Sequence, residues 1–370
     1  MNSGLEIVIV AMLGGAIRVS TPFMFVALGE CLTEKSGRVN LGQEGTMVLG
    51  AMVAYAVSYH TGSPWAGVFA SGLAGAFLGG MHGAICRLPR VNDVAVGIAM
   101  MLFGTGVAFF FGKPYIQPTA PRLASIPFGN FTDNADLRNA LDINPLFFLG
   151  IAIAFVLAWM LHSTRWGLIL RTVGDSAPAA LAMGLSVNWV RFLATAGGGF
   201  LAGIGGAFLS LSYPGSWNQG LSSGQGLMAV ALVIFARWSP LRCVLAALLF
   251  GGAGAIGPAL QSVGVTQGYY FFNAAPYILT LLIMIATSSA TRSARDMPGE
   301  LSMVAWAAGT SAGTRTRSLE RARLYSANAS LKMMLVTRSP MATPSTPGPR
   351  ASTKPVTSPP GQAGSGGRAS

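Results

Sequence analysis

Charge is scarce in this sequence. Only 10% of its 370 residues are Asp, Glu, Lys or Arg, while 52% are hydrophobic. A water-soluble domain carries about 25% charged residues, so most of this chain cannot face water. Cysteine is scarcer still, at three residues. Cys31, Cys86 and Cys243 lie far apart without a CxxC pair, and His60, His82 and His162 are scattered too. That spacing argues against a disulfide framework or a metal site, and the cysteines read as small hydrophobes near helix ends. No Gly-x-x-x-x-Gly-Lys-Ser/Thr occurs, because the single Gly-Lys pair, Gly112–Lys113, runs into Pro114. The chain therefore has no P-loop for ATP phosphates. His-Glu-x-x-His is missing as well, and no Gly-x-Ser-x-Gly lies in a strand-turn-helix context, so the residues support no enzymatic constellation and call for no cofactor.

A further absence bears on energy. Ion-coupled transport needs an acid or base near the middle of a span. The acids preceding the tail are Glu6, Glu30, Glu34, Glu44, Asp93, Asp133, Asp136, Asp142, Asp175, Asp296 and Glu300, and all read as loop or helix-end residues. Arg18 is the one charge well inside an apolar run rather than near its end. It reads as facing a wet cavity or snorkelling rather than relaying protons.

What is present is a series of long apolar runs. They fall at about 5–29, 43–60, 64–86, 94–112, 145–162, 191–213, 225–238, 241–260 and 269–289. Runs of about 18 apolar residues or more are the signature of membrane-spanning helices. The expected fold is an all-α transmembrane bundle of eight to ten spans, in which 225–238 is short and 94–112 is the candidate broken or re-entrant segment. The first run lacks a basic n-region and a cleavage site, and reads as a retained helix. Lys35, Arg38, Arg87, Arg90, Arg165, Arg171, Arg191, Arg237, Arg242, Arg292 and Arg295 all fall in alternate loops. Basic loops stay in the cytoplasm. Nine spans with the N-terminus outside and the C-terminus inside follow, and 113–144 becomes the main outer excursion. Gly75, Gly79 and Gly83, and again Gly199 and Gly203, repeat at four-residue spacing. Small residues so placed let two helix backbones approach closely.

The net charge of +12 belongs mostly to the tail, where nine basic residues face the single acid Glu320 over 305–370. This Ser-, Thr-, Pro-, Gly- and Arg-rich segment cannot bury enough surface to fold alone, and the expectation is a membrane domain over 1–304 and a disordered tail over 305–370. A basic tail and basic loops give no nucleic-acid-binding face.

Two loops are informative. Glu30 to Gly45 packs acids, bases and glycines into a turn before the second span, with Asn40 placed to cap that helix and Gly42 and Gly45 placed for close approach. The stretch Gly174–Asp175–Ser176–Ala177–Pro178–Ala179–Ala180–Leu181–Ala182–Met183–Gly184 reads as a short separate helix. Asp175 or Ser176 would cap it, Pro178 would sit in its first turn and Gly184 would stop it. So short a helix is unstable alone, which suggests docking on a partner through the small side chains of Ala179, Ala180 and Ala182.

The run Ser36–Gly37–Arg38–Val39–Asn40–Leu41–Gly42–Gln43–Glu44–Gly45 resembles the "SGVVNIGLEG" signature of permeases from branched-chain amino acid and simple-sugar ABC importers. The nucleoside permeases served by basic-membrane lipoproteins are nearest by motif. Arg171 to Gly184 is similar to that family's "RAVGENPRAAxxxGI" coupling loop, and Gly224 to Pro240 to its "GRGFIALAAVIFGRWxP" stretch. The resemblance covers about residues 5–304. Ser176–Ala177–Pro178 stands where the family has Asn-Pro-Arg, and the tail beyond Glu300 has no counterpart. The resemblance implies a bacterial inner-membrane permease subunit that translocates a nucleoside, purine or simple sugar. Its implied partners are a second permease, ABC ATPase subunits and a periplasmic solute-binding protein. It also implies that Gly174, Asp175, Pro178, Ala179, Ala180 and Gly184 couple to the ATPase, and that Asn40, Gly42, Glu44 and Gly45 form the family motif. A secondary transporter or channel is the rival reading; it needs a midplane acid and no separate coupling helix.

Overall fold

Five of the ten described α-helices of this computed structural model begin at a side chain that caps them. It describes residues 2–131, 138, 141–262, 274–276, 278–279, 282, 298–299 and 301. Helix α1 covers Asn2–Lys35 and α2 Gln43–Thr61; α3 spans Pro64–Ile85, with Ser63 accepting from the Ala66 N–H and Pro64 in its first turn. Asn92 caps α4 (Asp93–Gly112), accepting from Val94 at 2.8 Å, and Asn144 caps α5 (Pro145–Ser163), accepting from Leu146 at 3.0 Å. Thr164 caps α6 (Arg165–Asp175) and Ser176 caps α7 (Ala177–Ala182). Helices α8 (Val187–Leu211), α9 (Gln225–Phe235) and α10 (Pro240–Ser262) follow. Each such cap satisfies backbone N–H groups that a helix start leaves unpaired.

Six of the described helices are long and apolar enough to cross a membrane: Met12–Lys35, Pro64–Ile85, Asp93–Tyr115, Pro145–Ser163, Val187–Leu211 and Pro240–Gln261. The 43–60 run is a helix too, but it opens on Gln43 and Glu44 and closes on Tyr59 and His60. Twelve of its nineteen residues are buried, so neighbouring helices rather than lipid surround it. The 94–112 run is one continuous helix, which corrects the broken-segment expectation. The break lies instead at 212–224, a non-helical stretch ahead of the eleven-residue α9. The 269–289 run and the tail 305–370 lie outside the described residues, apart from isolated positions within the run.

Helix α8 is the axis of the packing. A Cβ on Gly75 of α3 would fall on the carbonyl oxygen of Gly199, and one on Gly199 would fall on that of Gly75. Gly79 meets the Thr195 carbonyl and Gly203 that of Ser71 in the same way. The two small-residue repeats read from the sequence therefore pack on each other. Gly198 meets Gly29 of α1, and Gly206 meets the Met47 carbonyl of α2. Backbone-to-backbone approach of this kind holds helices together where lipid removes the hydrophobic driving force. On the other side of α3, Trp65, Phe69, Leu73 and Phe77 recur every four residues and are exposed, an apolar stripe suited to acyl chains.

At the opposite end from the Lys35 turn, the 113–144 excursion is ordered over its described part. Ile126–Pro127 pairs antiparallel with Asp142–Ile143. The Tyr55 hydroxyl donates to the Pro118 carbonyl at 2.8 Å, Ser58 donates to Pro121 at 2.7 Å, and the Leu123 N–H reaches Leu211 at 2.9 Å. These bonds strap the loop across the ends of α2 and α8.

Candidate functional site

Three segments converge at the Lys35 end of the bundle: 30–45, 165–191 and 222–238. Helix α1 does not stop where its apolar run stops. It continues to Lys35, so Glu30 and Glu34 lie inside the candidate span and are buried, rather than sitting in a turn. Their partners come from elsewhere in the chain. Glu30 accepts from the Asn40 N–H at 2.7 Å and from Gln43 Nε2 at 2.6 Å, and Glu34 accepts from the Trp238 indole. Carboxyl groups taken out of water persist when such donors satisfy them.

The motif residues lock the start of α2 onto the middle of α4. Asn40 Oδ1 accepts from Gly42 N at 2.9 Å, but the helix N-cap is Gly42, so Asn40 braces the turn instead of capping the helix as expected. A Cβ on Gly45 would lie 2.5 Å from the Met101 carbonyl oxygen, and one on Gly104 would lie 2.7 Å from that of Gly45. Glycine is required at this contact because any side chain would separate the two backbones. Glu44 points the other way. Its carboxylate accepts from the Ser222 hydroxyl, from Gly224 N at 3.1 Å and from Gly226 N at 2.6 Å, and so closes the N-terminus of α9. An acid there also complements the positive end of the helix.

The expected coupling stretch splits in two. Asp175 ends α6 and does not cap the next helix; Ser176 does, accepting from Ala179 N at 3.4 Å. Pro178 sits in the first turn of α7, and Gly184 follows its end with φ +77, a left-handed conformation natural to glycine. Gly174 abuts the Lys35 carbonyl and the Gly37 amide, so α6 is seated on the motif turn. Ala180 is fully buried with Val173 and Val187, and Ala179 is half-buried. The small residues thus seat α7 on its own chain; Pro178, Leu181, Ala182 and Met183 are the residues that face outward. Partial burial pushes the Asp175 carboxyl up, opposed by the Gly299 backbone N–H, Lys35 and Arg171.

Arg191, near the start of α8, ties the segments together by donating from Nε to the Ser36 carbonyl at 3.1 Å and from Nη2 to that of Val173 at 3.5 Å. Arg38 does the same for the next loop, with Asp93 at 2.6 Å and the Cys86 carbonyl at 2.6 Å. Burial pushes the Cys86 thiol up to about 12, with the Asp93 charge adding to the effect. No group of three or more His, Cys, Asp or Glu placed to hold a metal occurs among the described residues.

Residues 12–288 match a family described as the branched-chain amino acid transport system permease component. The chain is 33% identical over 265 residues to a putative glucose ABC transporter permease of Haloferax volcanii, covering 69% of this chain and 79% of that protein. It is 30% identical over 288 residues to a guanosine ABC transporter permease of Bacillus subtilis, covering 72% and 88%. A nucleoside ABC transporter permease of Lactococcus lactis is 27% identical over the same length, with the same coverage.

Proposed function

Because the chain belongs to the branched-chain amino acid transport system permease-component family, we propose that it passes a nucleoside, purine or simple sugar across the bacterial inner membrane, powered by separate ATPase subunits. It is a multi-pass membrane protein and a permease subunit of an ABC importer for small polar solutes. A second permease completes the path, and a solute-binding protein delivers the cargo from outside. The basic residues at the Lys35 end support placing that end, and the C-terminus, in the cytoplasm.

The observation that carries the coupling role is α7. This six-residue helix is clamped from behind through Ala180 and Val173, yet it presents Leu181 (62% exposed) and Met183 (44% exposed) outward beyond the spans. An apolar knuckle on a rigid seat can pass a push from an ATPase into α6, the motif turn and α1. The test is the double substitution Leu181→Asp/Met183→Asp. Uptake of radiolabelled guanosine or glucose and co-purification of the ATPase should both fall at least tenfold, with thermal unfolding of the membrane domain unchanged. Wild-type uptake in the variant overturns the assignment. The tail 305–370 is proposed to be dispensable, so truncation after Val304 should leave uptake near wild type.

A further inference from the structure

Helix α9 is half a span. Its eleven residues begin beside Glu44, level with the middle of α4, where Gly45 packs on Met101 and Gly104. It ends where Trp238 meets Glu34 at the close of α1. Both of its ends are strained. Four non-glycine residues with positive φ occur in the described chain: Arg90, Ser223 (φ 47), Arg237 (φ 52) and Trp238 (φ 53). Three of the four flank α9. Backbone held in this region is costly and persists when surrounding bonds over-determine it, a pattern common to switching segments. The bonds that hold it here run to glutamate side chains, Glu44 on Ser222, Gly224 and Gly226 at one end and Glu34 on Trp238 at the other.

The junction is also incompletely satisfied. Gln43 and Gln225, the first residues of α2 and α9, each bury a side-chain oxygen that accepts no hydrogen bond. A buried acceptor without a donor disfavours the arrangement that contains it. Non-helical backbone such as 212–224 is tolerated at membrane depth when protein or a water-filled path surrounds it.

We propose that α9 is a hinged gate and that Glu44 and Glu34 are its positioning residues, latching it shut at 222–226 and at 238. Opening releases the Gly224 and Gly226 N–H groups from Glu44, relaxes Ser223 and Arg237, and lets the Gln43 and Gln225 oxygens find donors. The gate gives the transport reading a moving part, and it rests on that reading only for what passes through.

The test uses the full chain in membrane vesicles with Leu221→Cys as reporter, since Leu221 is 9% exposed and outside the latch. A water-soluble maleimide is the probe, and the buried Cys31, Cys86 and Cys243 are internal controls. Leu221→Cys should label slowly. Adding Glu44→Ala should speed labelling at least tenfold, and Glu44→Gln by less, with the three native thiols still unreactive. Adding Ser223→Gly to the reporter alone should slow labelling, because glycine removes the strain that favours opening. Unchanged labelling in Glu44→Ala, simultaneous reaction of the native thiols, or faster labelling with Ser223→Gly each overturns the gate. If the Glu44 variants fail to accumulate, the Ser223→Gly arm still decides. Absence of guanosine and glucose uptake in wild-type cells would count against the transport reading and leave the labelling result standing.

Discussion

Helices α4 and α8 are both rich in glycine and both long enough to span, yet they are built for opposite neighbours. The Asp93–Tyr115 span is the more apolar of the two and is 22% buried, whereas Val187–Leu211 is less apolar and 72% buried. In water the ranking would run the other way. Within a bilayer, large apolar side chains such as Leu102, Phe103, Phe110 and Phe111 serve lipid, while glycines bring protein to protein. The same residue type therefore has two values here. Gly199 on α8 is pressed against backbone, and Gly106 on α4 has nothing within 4 Å of where a Cβ would be.

The sharpest way to break this contrast is a pair of substitutions. Gly75→Val places three carbons where the Gly199 carbonyl now sits and should destabilise the fold by about 3 kcal/mol or more. Gly106→Ala should be neutral or stabilising by about 0.5–1 kcal/mol, from helix propensity alone. Thermal unfolding of the two variants in detergent measures the difference; equal melting temperatures would end the distinction. A smaller effect separates bridging arginines from surface ones. Arg38→Ala strips the Cys86 carbonyl and Asp93 of their partner and should cost about 1–3 kcal/mol. Arg87→Ala loses a cation–π contact at 5.7 Å over the exposed Trp189, worth about 0.5–1 kcal/mol. The same melts resolve the two. Last, Cys86 should resist maleimide at pH 8 in the folded chain, since its thiol is buried and its titration is pushed up to about 12. Mass spectrometry before and after denaturation checks this, and modification of Cys86 in folded protein would contradict it.

Local features of the fold were legible because they depend on neighbouring residues. Ser176, Pro178 and Gly184 set the limits of α7, and the glycine repeats of α3 and α8 announced a close interface. What escaped reading depends on partners far along the chain. Glu30 and Glu34 look like the start of a loop until Asn40, Gln43 and, some two hundred residues on, Trp238 supply donors. Glu44 was visible as part of a motif, but its work at α9 requires Ser222, Gly224 and Gly226, which no local pattern links to it. Ala180 was read as a surface that meets a partner; Val173 and Val187 claim it instead, and the outward role passes to Leu181 and Met183. The run at 94–112 reads as a candidate broken segment, whereas it is one continuous helix in which Gly97 and Gly104 make room for Leu41 and Gly45.

The enclosure of α2 has a consequence for how the protein is made. A helix that opens on Gln43 and Glu44 and is walled in by its neighbours gains little from lipid and much from α8. Yet Val187, where α8 begins, lies 126 residues beyond Thr61, where α2 ends. At about 5–20 residues per second, the ribosome delivers that partner roughly 6–25 s later. During the interval α2 has only α1, α3 and α4 for shelter, so the newly made first half must be held at the insertion machinery until the glycine face of α8 arrives to close over it.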